Sequence, residues 1–183
     1  MSSILEVGAV DAIANDYDGL DIIGNQTETN TIIIGEAPGS DSPGNDNVIG
    51  GSELDFISTG DGDDIIIGGG GDDIIFGGAG SDIIRGGDGA DVITGGADAD
   101  HLMGGSGKDT FRFDLEDFVN GEIDSIHDFE VGVDKIIING IDSDLVTIEG
   151  NAVTYDGNTI INLGGDVTGI QGQATDDDTF ELF

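Results

Sequence analysis

The chain contains no cysteine, which excludes disulfides, thiolate metal sites and cysteine nucleophiles together. Basic residues are almost as scarce. Arg85, Lys108, Arg112 and Lys135 stand against 39 Asp and Glu, giving a formal net charge of −35. That sign does not suit phosphate backbones or anionic lipid, so neither nucleic acid nor a membrane surface is expected as a partner. No run of roughly 18 apolar residues occurs, which excludes a helical membrane span. Residues 1–11 lack Lys and Arg and lack an apolar stretch of signal-peptide length, so no N-terminal export signal is expected. Tryptophan is missing and the only tyrosines are Tyr17 and Tyr155, leaving few platforms for sugar stacking. His101 and His127 are the only histidines. There is no H-E-x-x-H pair, and the stretch from Gly104 to Lys108 completes neither a phosphate loop nor a nucleophile elbow. No enzyme is expected.

What the chain has is glycine, 34 residues of it, with no three-residue period to indicate collagen. The period is nine. From residue 41 the sequence reads DSPGNDNVI, GGSELDFIS, TGDGDDIII, GGGGDDIIF, GGAGSDIIR, GGDGADVIT, GGADADHLM and GGSGKDTFR, eight units without insertion. The sixth place is always aspartate: Asp46, Asp55, Asp64, Asp73, Asp82, Asp91, Asp100 and Asp109. The eighth is always apolar, from Val48 to Phe111. Degenerate units flank this array. Gly19, Asp21 and Ile23 echo its Gly-x-Asp-x-Ile core upstream, followed by Asn30 with Ile32; downstream stand Asp124 with Ile126, and Asp134 with Ile136. Beyond Ile141 the pattern becomes that of β-hairpins, with short strands expected at 145–148, 152–155 and 159–163 and a tight turn at Asp156-Gly157.

One unit, six turn-forming residues and a three-residue strand, reverses the chain; two restore its direction. Residue i then stacks on residue i+18 in a parallel coil whose eighth-place side chains fill the interior from both walls. The seventh and ninth places point outward, so His101 is expected as a solvated surface residue. On one wall Ile49, Ile65, Ile67 and Ile83 form an outward apolar stripe, for which a second copy in a homodimer, residues 4–13 or a turn at 115–119 is a candidate cover. The aspartates fall into two ladders, Asp46, Asp64, Asp82 and Asp100 on one edge, Asp55, Asp73, Asp91 and Asp109 on the other. Neighbouring carboxylates roughly 5 Å apart repel by about 3 kcal/mol at an effective dielectric near 20. A hard cation between rungs reverses the sign. Calcium fits, because it takes 6–8 oxygen ligands at flexible angles from carboxylates and backbone carbonyls. The fourth-place glycines Gly44, Gly62, Gly71, Gly80, Gly89 and Gly107 would add carbonyl oxygens, and Asp21 and Asp134 would extend the ladders outward. Three gaps per ladder accommodate about six ions. Asp63, Asp72 and Asp88 are expected as solvated surface charge.

The units GGAGSDIIR and GGDGADVIT resemble G-G-x-G-x-D-x-U-x, the repeat of RTX (repeats-in-toxin) proteins. Residues 41–112 carry the resemblance, and 124–136 are similar to the segment that follows the roll in serralysin-type proteases, lipases and alginate-epimerase modules. The resemblance implies an all-β fold, a right-handed parallel β-roll with two repeats per coil, closed here by a C-terminal β-hairpin cap. It further implies a bacterial, secreted, extracellular protein, exported unfolded through a type I (ABC) exporter by an uncleaved C-terminal signal and folded by calcium outside the cell. The ending Asp176-Asp177-Asp178-Thr179-Phe180-Glu181-Leu182-Phe183 resembles such a signal. Three regions are expected: an N-terminal cap with degenerate repeats at 1–40, the roll at 41–112, and a capping and export region at 113–183. The alternative function is a calcium-dependent accessory module that holds a polysaccharide or a cell surface within a larger exoprotein.

Overall fold

The computed structural model describes residues 3–6, 12–15, 20–24, 31–35, 44–118, 121–164, 167–176 and 179–183. Gly19, Asn30, Tyr17 and Val119 lie outside them. The described residues form strands β1 (Ser3–Glu6), β2 (Ala12–Asn15), β3 (Leu20–Ile23), β4 (Thr31–Gly35), β5 (Asn47–Gly51), β6 (Phe56–Asp61), β7 (Ile65–Gly70), β8 (Ile74–Ala79), β9 (Ile83–Asp88), β10 (Val92–Ala97), β11 (His101–Ser106) and β12 (Thr110–Asp114). A 3-10 turn at Leu115–Phe118 leads to β13 (Asp124–Ile126), β14 (Lys135–Asn139), β15 (Val146–Glu149), β16 (Ala152–Tyr155), β17 (Asn158–Leu163), β18 (Gly172–Asp176) and β19 (Thr179–Leu182). Successive repeats alternate between two sheets. One runs β1-β3-β5-β7-β9-β11-β13-β17-β16-β15 and the other β18-β19-β14-β12-β10-β8-β6-β4-β2. The fold is an all-β parallel roll.

Within the array the eighteen-residue register is strict: Ile65 pairs with Ile83, Ile66 with Ile84, and on the other wall Ile74 with Val92. Alternation along each strand buries the eighth place, so Val48, Ile66, Ile84 and Leu102 face Ile57, Ile75, Ile93 and Phe111 across the interior, each nearly inaccessible to water. Burying one such side chain contributes about 1.5–3 kcal/mol. The strands are longer than the expected three residues. Those from β6 to β11 have six, because the first three places of the next unit, Gly-Gly-x in all but the Thr59-Gly60-Asp61 case, continue the ladder and only three places remain for the turn. Asp98, standing where other units have a turn glycine, takes the left-handed backbone at φ 76°, which Asp tolerates better than most residues. Glu53, its counterpart in the second unit, does not, so that turn follows another path.

The flanking units depart from the nine-residue register. Ile32 pairs with Ile57, in the phase expected of it. Asp21, however, pairs with Asn47, and the residue aligned with Val48 is Ile22, which is buried, rather than Ile23. The degenerate unit is therefore one residue out of phase with the reading that made Asp21 a sixth-place ligand. Leu20 stands in that place. Downstream, Ile126 pairs with Leu102 and Ile136 with Phe111, so both later units keep the core position despite offsets of 24 and 25 residues.

The hairpin region closes both sheets. β17 lies parallel to β13, and β16 and β15 follow it antiparallel. Asp156 and Gly157, at φ 49° and 76°, make the turn between β16 and β17, with positive φ at both central positions as a mirror-image hairpin turn requires. The chain end covers the other sheet: β19 pairs antiparallel with β14, Leu182 is fully buried, and Lys135 reaches Glu181 at 2.7 Å. Unpaired strand edges invite association with other chains, and β15 and β18 move them away from the roll. The 3-10 turn packs on β10 and β12, not over the stripe of Ile49, Ile65, Ile67 and Ile83, which stays 37–44% exposed.

Candidate calcium site

Every sixth-place aspartate of the array is buried, from Asp46 at 3% exposure to Asp55 and Asp82 at 0%. The main chain explains why these residues stack. The backbone N–H of Asp46 donates to Oδ1 of Asp64 at 2.7 Å, that of Asp64 to Oδ1 of Asp82 at 2.8 Å, and that of Asp82 to Oδ1 of Asp100 at 2.9 Å. The second ladder repeats this from Asp55 to Asp73, Asp91 and Asp109 at 2.7–3.0 Å. In return the aspartate carbonyl accepts from the seventh-place N–H one coil on, as Asp64 does from Ile83 at 2.8 Å. Each carboxylate thus spends one oxygen holding the preceding coil.

In Asp55 and Asp134 the other oxygen accepts a main-chain N–H, from Gly51 and Glu130; in six rungs it does not. Oδ2 of Asp64, Asp73, Asp82, Asp91, Asp100 and Asp109 is buried without a hydrogen-bond partner. A buried polar atom in that condition is costly, and six in periodic array point to a missing positive partner. Beside each of five of them sits the glycine that opens the same unit. A Cβ on Gly68, Gly77, Gly86, Gly95 or Gly104 would overlap Oδ2 of Asp73, Asp82, Asp91, Asp100 or Asp109 respectively. At Gly68, Gly77 and Gly86 it would also crowd the carbonyl of Gly86, Gly95 and Gly104. The fourth-place glycines carry carbonyls along the stack: a Cβ on Gly62 would strike the Gly44 carbonyl, on Gly80 that of Gly62, on Gly89 that of Gly71 and on Gly107 that of Gly89. Beside Asp73, Asp82 and Asp91, then, the unpartnered carboxylate oxygen and a first-place glycine carbonyl of the next coil both border the space at a bare glycine Cα. Among the described residues no three His, Asp or Glu side chains are placed to hold a metal ion by themselves, so a cation here would draw on backbone oxygens as well as the ladders. An all-oxygen set of that kind suits calcium and not zinc.

The charges behave as an unneutralised stack should. Burial raises the carboxyls of Asp73, Asp82 and Asp124 to about 7, Asp100 to about 8 and Asp109 to about 6, with neighbouring carboxylates adding to the rise and backbone N–H donors opposing it. Asp91 and Asp134 are raised for the same leading reason. Asp109 is not the end of its ladder as the nine-residue count implies, since its N–H donates to Oδ1 of Asp134 at 3.0 Å. The first ladder also continues. The Asp100 N–H donates to Oδ1 of Asp124, a degenerate-unit aspartate that is 1% exposed and that the repeat pattern does not single out as a ligand. Asp63 and Asp72 are exposed as expected but also structural, accepting the N–H of Ser81 at 2.9 Å and of Ala90 at 2.8 Å one coil on. Asp88 accepts from the Ser106 hydroxyl.

Residues 41–75 and 76–111 match the RTX calcium-binding nonapeptide repeat, described as a block of four copies. No curated protein matches the chain. RTX repeats bind calcium and are typical of secreted, extracellular proteins. Among the described residues no helix is long and apolar enough to cross a membrane. Over residues 41–111, then, the chain is similar to the RTX calcium-binding nonapeptide repeat.

Proposed function

We propose that this is a non-enzymatic calcium-binding module, exported unfolded by a type I system and folded by extracellular calcium. The observation that carries the reading is the file of buried, partnerless Oδ2 atoms facing glycine carbonyls along both ladders. Asp46, Asp55, Asp64, Asp73, Asp82, Asp91, Asp100 and Asp109 hold the ions with the fourth-place glycine carbonyls, about six ions in the regular array, and Asp124 and Asp134 extend the ladders beyond it. Bound calcium would supply positive charge between the carboxylates. The chain's own contribution is to space the carboxylates by backbone bonds and to leave room beside them. At low cytosolic calcium the net charge of −35 opposes compaction; at extracellular levels near 10⁻⁴–10⁻³ M the gaps fill, and binding free energy becomes folding free energy. The expected result at pH 7.4 is an unordered circular-dichroism spectrum in chelator and cooperative recovery of β signal in millimolar calcium. An unchanged β spectrum in chelator would overturn the reading.

Residues 1–40 serve as the upstream cap, 41–112 as the roll, and 113–183 as a region with two roles, closing the sheets and addressing the exporter. Removing 176–183 is expected to abolish secretion through a cognate type I system. In the refolded protein it should also lower stability in calcium by about 2–5 kcal/mol, since β14 loses its β19 neighbour and the Leu182 side chain leaves the core. Undiminished secretion would refute the export role, and undiminished stability the capping role.

A further inference from the structure

His101 and His127 lie 26 residues apart in sequence, yet their rings stack with centroids 5.1 Å apart and planes at 24°. Nδ1 of His101 is 2.9 Å from Nε2 of His127. The sheet makes this contact. β13 lies beside β11 with Ser125 paired to His101, which sets His127 diagonally across from it. Two further bonds hold the end of β13 in place, from the N–H groups of Gly104 and Gly105 to Oδ1 and Oδ2 of Asp128 at 2.9 and 3.0 Å. Both imidazoles are exposed. They are the only two in a chain whose other candidate ligands are oxygens.

We propose that His101 and His127 form a second kind of cation site, a two-imidazole clasp for a borderline divalent transition metal. A metal–imidazole bond is about 2.0–2.1 Å, so two such bonds at a right angle part their nitrogens by about 2.9 Å, the separation already present. The 2.9 Å contact is a hydrogen bond in the metal-free chain; a metal would replace it, the bridging proton moving to the other nitrogen of its own ring, the exposed rings turning about their side-chain bonds to aim both lone pairs at one ion, and water completing the shell. Imidazole nitrogen selects copper(II), nickel(II) or zinc over calcium, and copper(II) binds such donors most strongly. Calcium in excess, an oxygen seeker, leaves the clasp open. The net charge of −35 raises the local concentration of any cation. Bound metal would tie β11, the last strand of the regular array in its sheet, to β13. The site goes beyond the calcium reading and needs only the β11–β13 pairing.

The test is titration of copper(II) into the full chain held in millimolar calcium, with electron paramagnetic resonance reporting the donor atoms. One tight equivalent with coupling to two nitrogens is expected, together with a raised melting temperature. His101→Asn and His127→Asn, both at exposed positions, should fold normally by circular dichroism and each weaken that equivalent at least tenfold, with loss of the melting shift. Copper held by oxygen donors alone, or bound as tightly by either variant as by the parent chain, would overturn the proposal.

Discussion

In a calcium chelator the roll is expected to be more stable at pH 5 than at pH 8. Its ladder carboxyls titrate near 4 in the unfolded chain, whereas burial raises Asp109 to about 6, Asp73, Asp82 and Asp124 to about 7 and Asp100 to about 8 in the fold. A raised folded value means that folding takes up protons. The contribution is fully present below the unfolded value and is lost as the pH climbs through 6–8. Protonation does in acid what a cation does at neutral pH, removing the charge that burial penalises, and it lowers the overall net charge in the same direction. With calcium present the dependence reverses, because ligation requires the ionised carboxylate and acid competes with the ion. The β signal in circular dichroism from pH 5 to 8 in chelator should therefore fall as the pH rises, while the melting temperature in millimolar calcium should rise. A chelated protein whose stability rises with pH would show that the buried aspartates are not what limits it.

The roll was legible because one physical requirement recurs at fixed spacing. An apolar eighth place and an aspartate sixth place, repeated eight times, select the stacking in which every eighth-place side chain is inside. Where the spacing changes, phase can be known only from pairing. Asp21 and Ile22 illustrate this: the string Gly-x-Asp-x-Ile selects Ile23 as the core residue, but the strand places Ile22 there. Asp124 and Asp134 make the complementary case: both open degenerate units at altered spacing, and only pairing shows that each continues a ladder, Asp124 from Asp100 and Asp134 from Asp109. The same altered spacing brings His127 to His101. The tail is a third case. Its acidic-then-apolar sequence reads as an export address, and the partner that makes it a strand, β14, lies some forty residues upstream. The two roles of the aspartate, one oxygen for the previous coil and one for the gap, cannot be read from composition, because sequence names a carboxylate without assigning its two oxygens.

Adding one methyl group at Gly86 is expected to damage the roll far more than adding it at Gly70. Neither glycine has a positive φ, so alanine is conformationally acceptable at both, and only the surroundings differ. At Gly70 a Cβ would meet its nearest neighbour, the Ser52 backbone, at 3.7 Å, an ordinary contact. Gly70→Ala should be near neutral, or stabilising by about 0.4–1 kcal/mol through the less flexible unfolded chain. At Gly86 the Cβ would overlap Oδ2 of Asp91 and crowd the carbonyl of Gly104. The methyl group would occupy the space beside the unpartnered carboxylate oxygen. Overpacking alone costs about 1–3 kcal/mol, and displacement of Asp91 also disturbs its bonds with Asp73 and Asp109 in the same ladder. Calorimetric titration with calcium is the discriminating measurement. Gly86→Ala should bind at least one ion fewer or fold only at higher calcium, while Gly70→Ala should keep the parent stoichiometry. Equal calcium binding by the two variants would mean that the space beside the ladder oxygens is not where the ions sit, and that the glycines opening each unit serve only to let neighbouring coils approach.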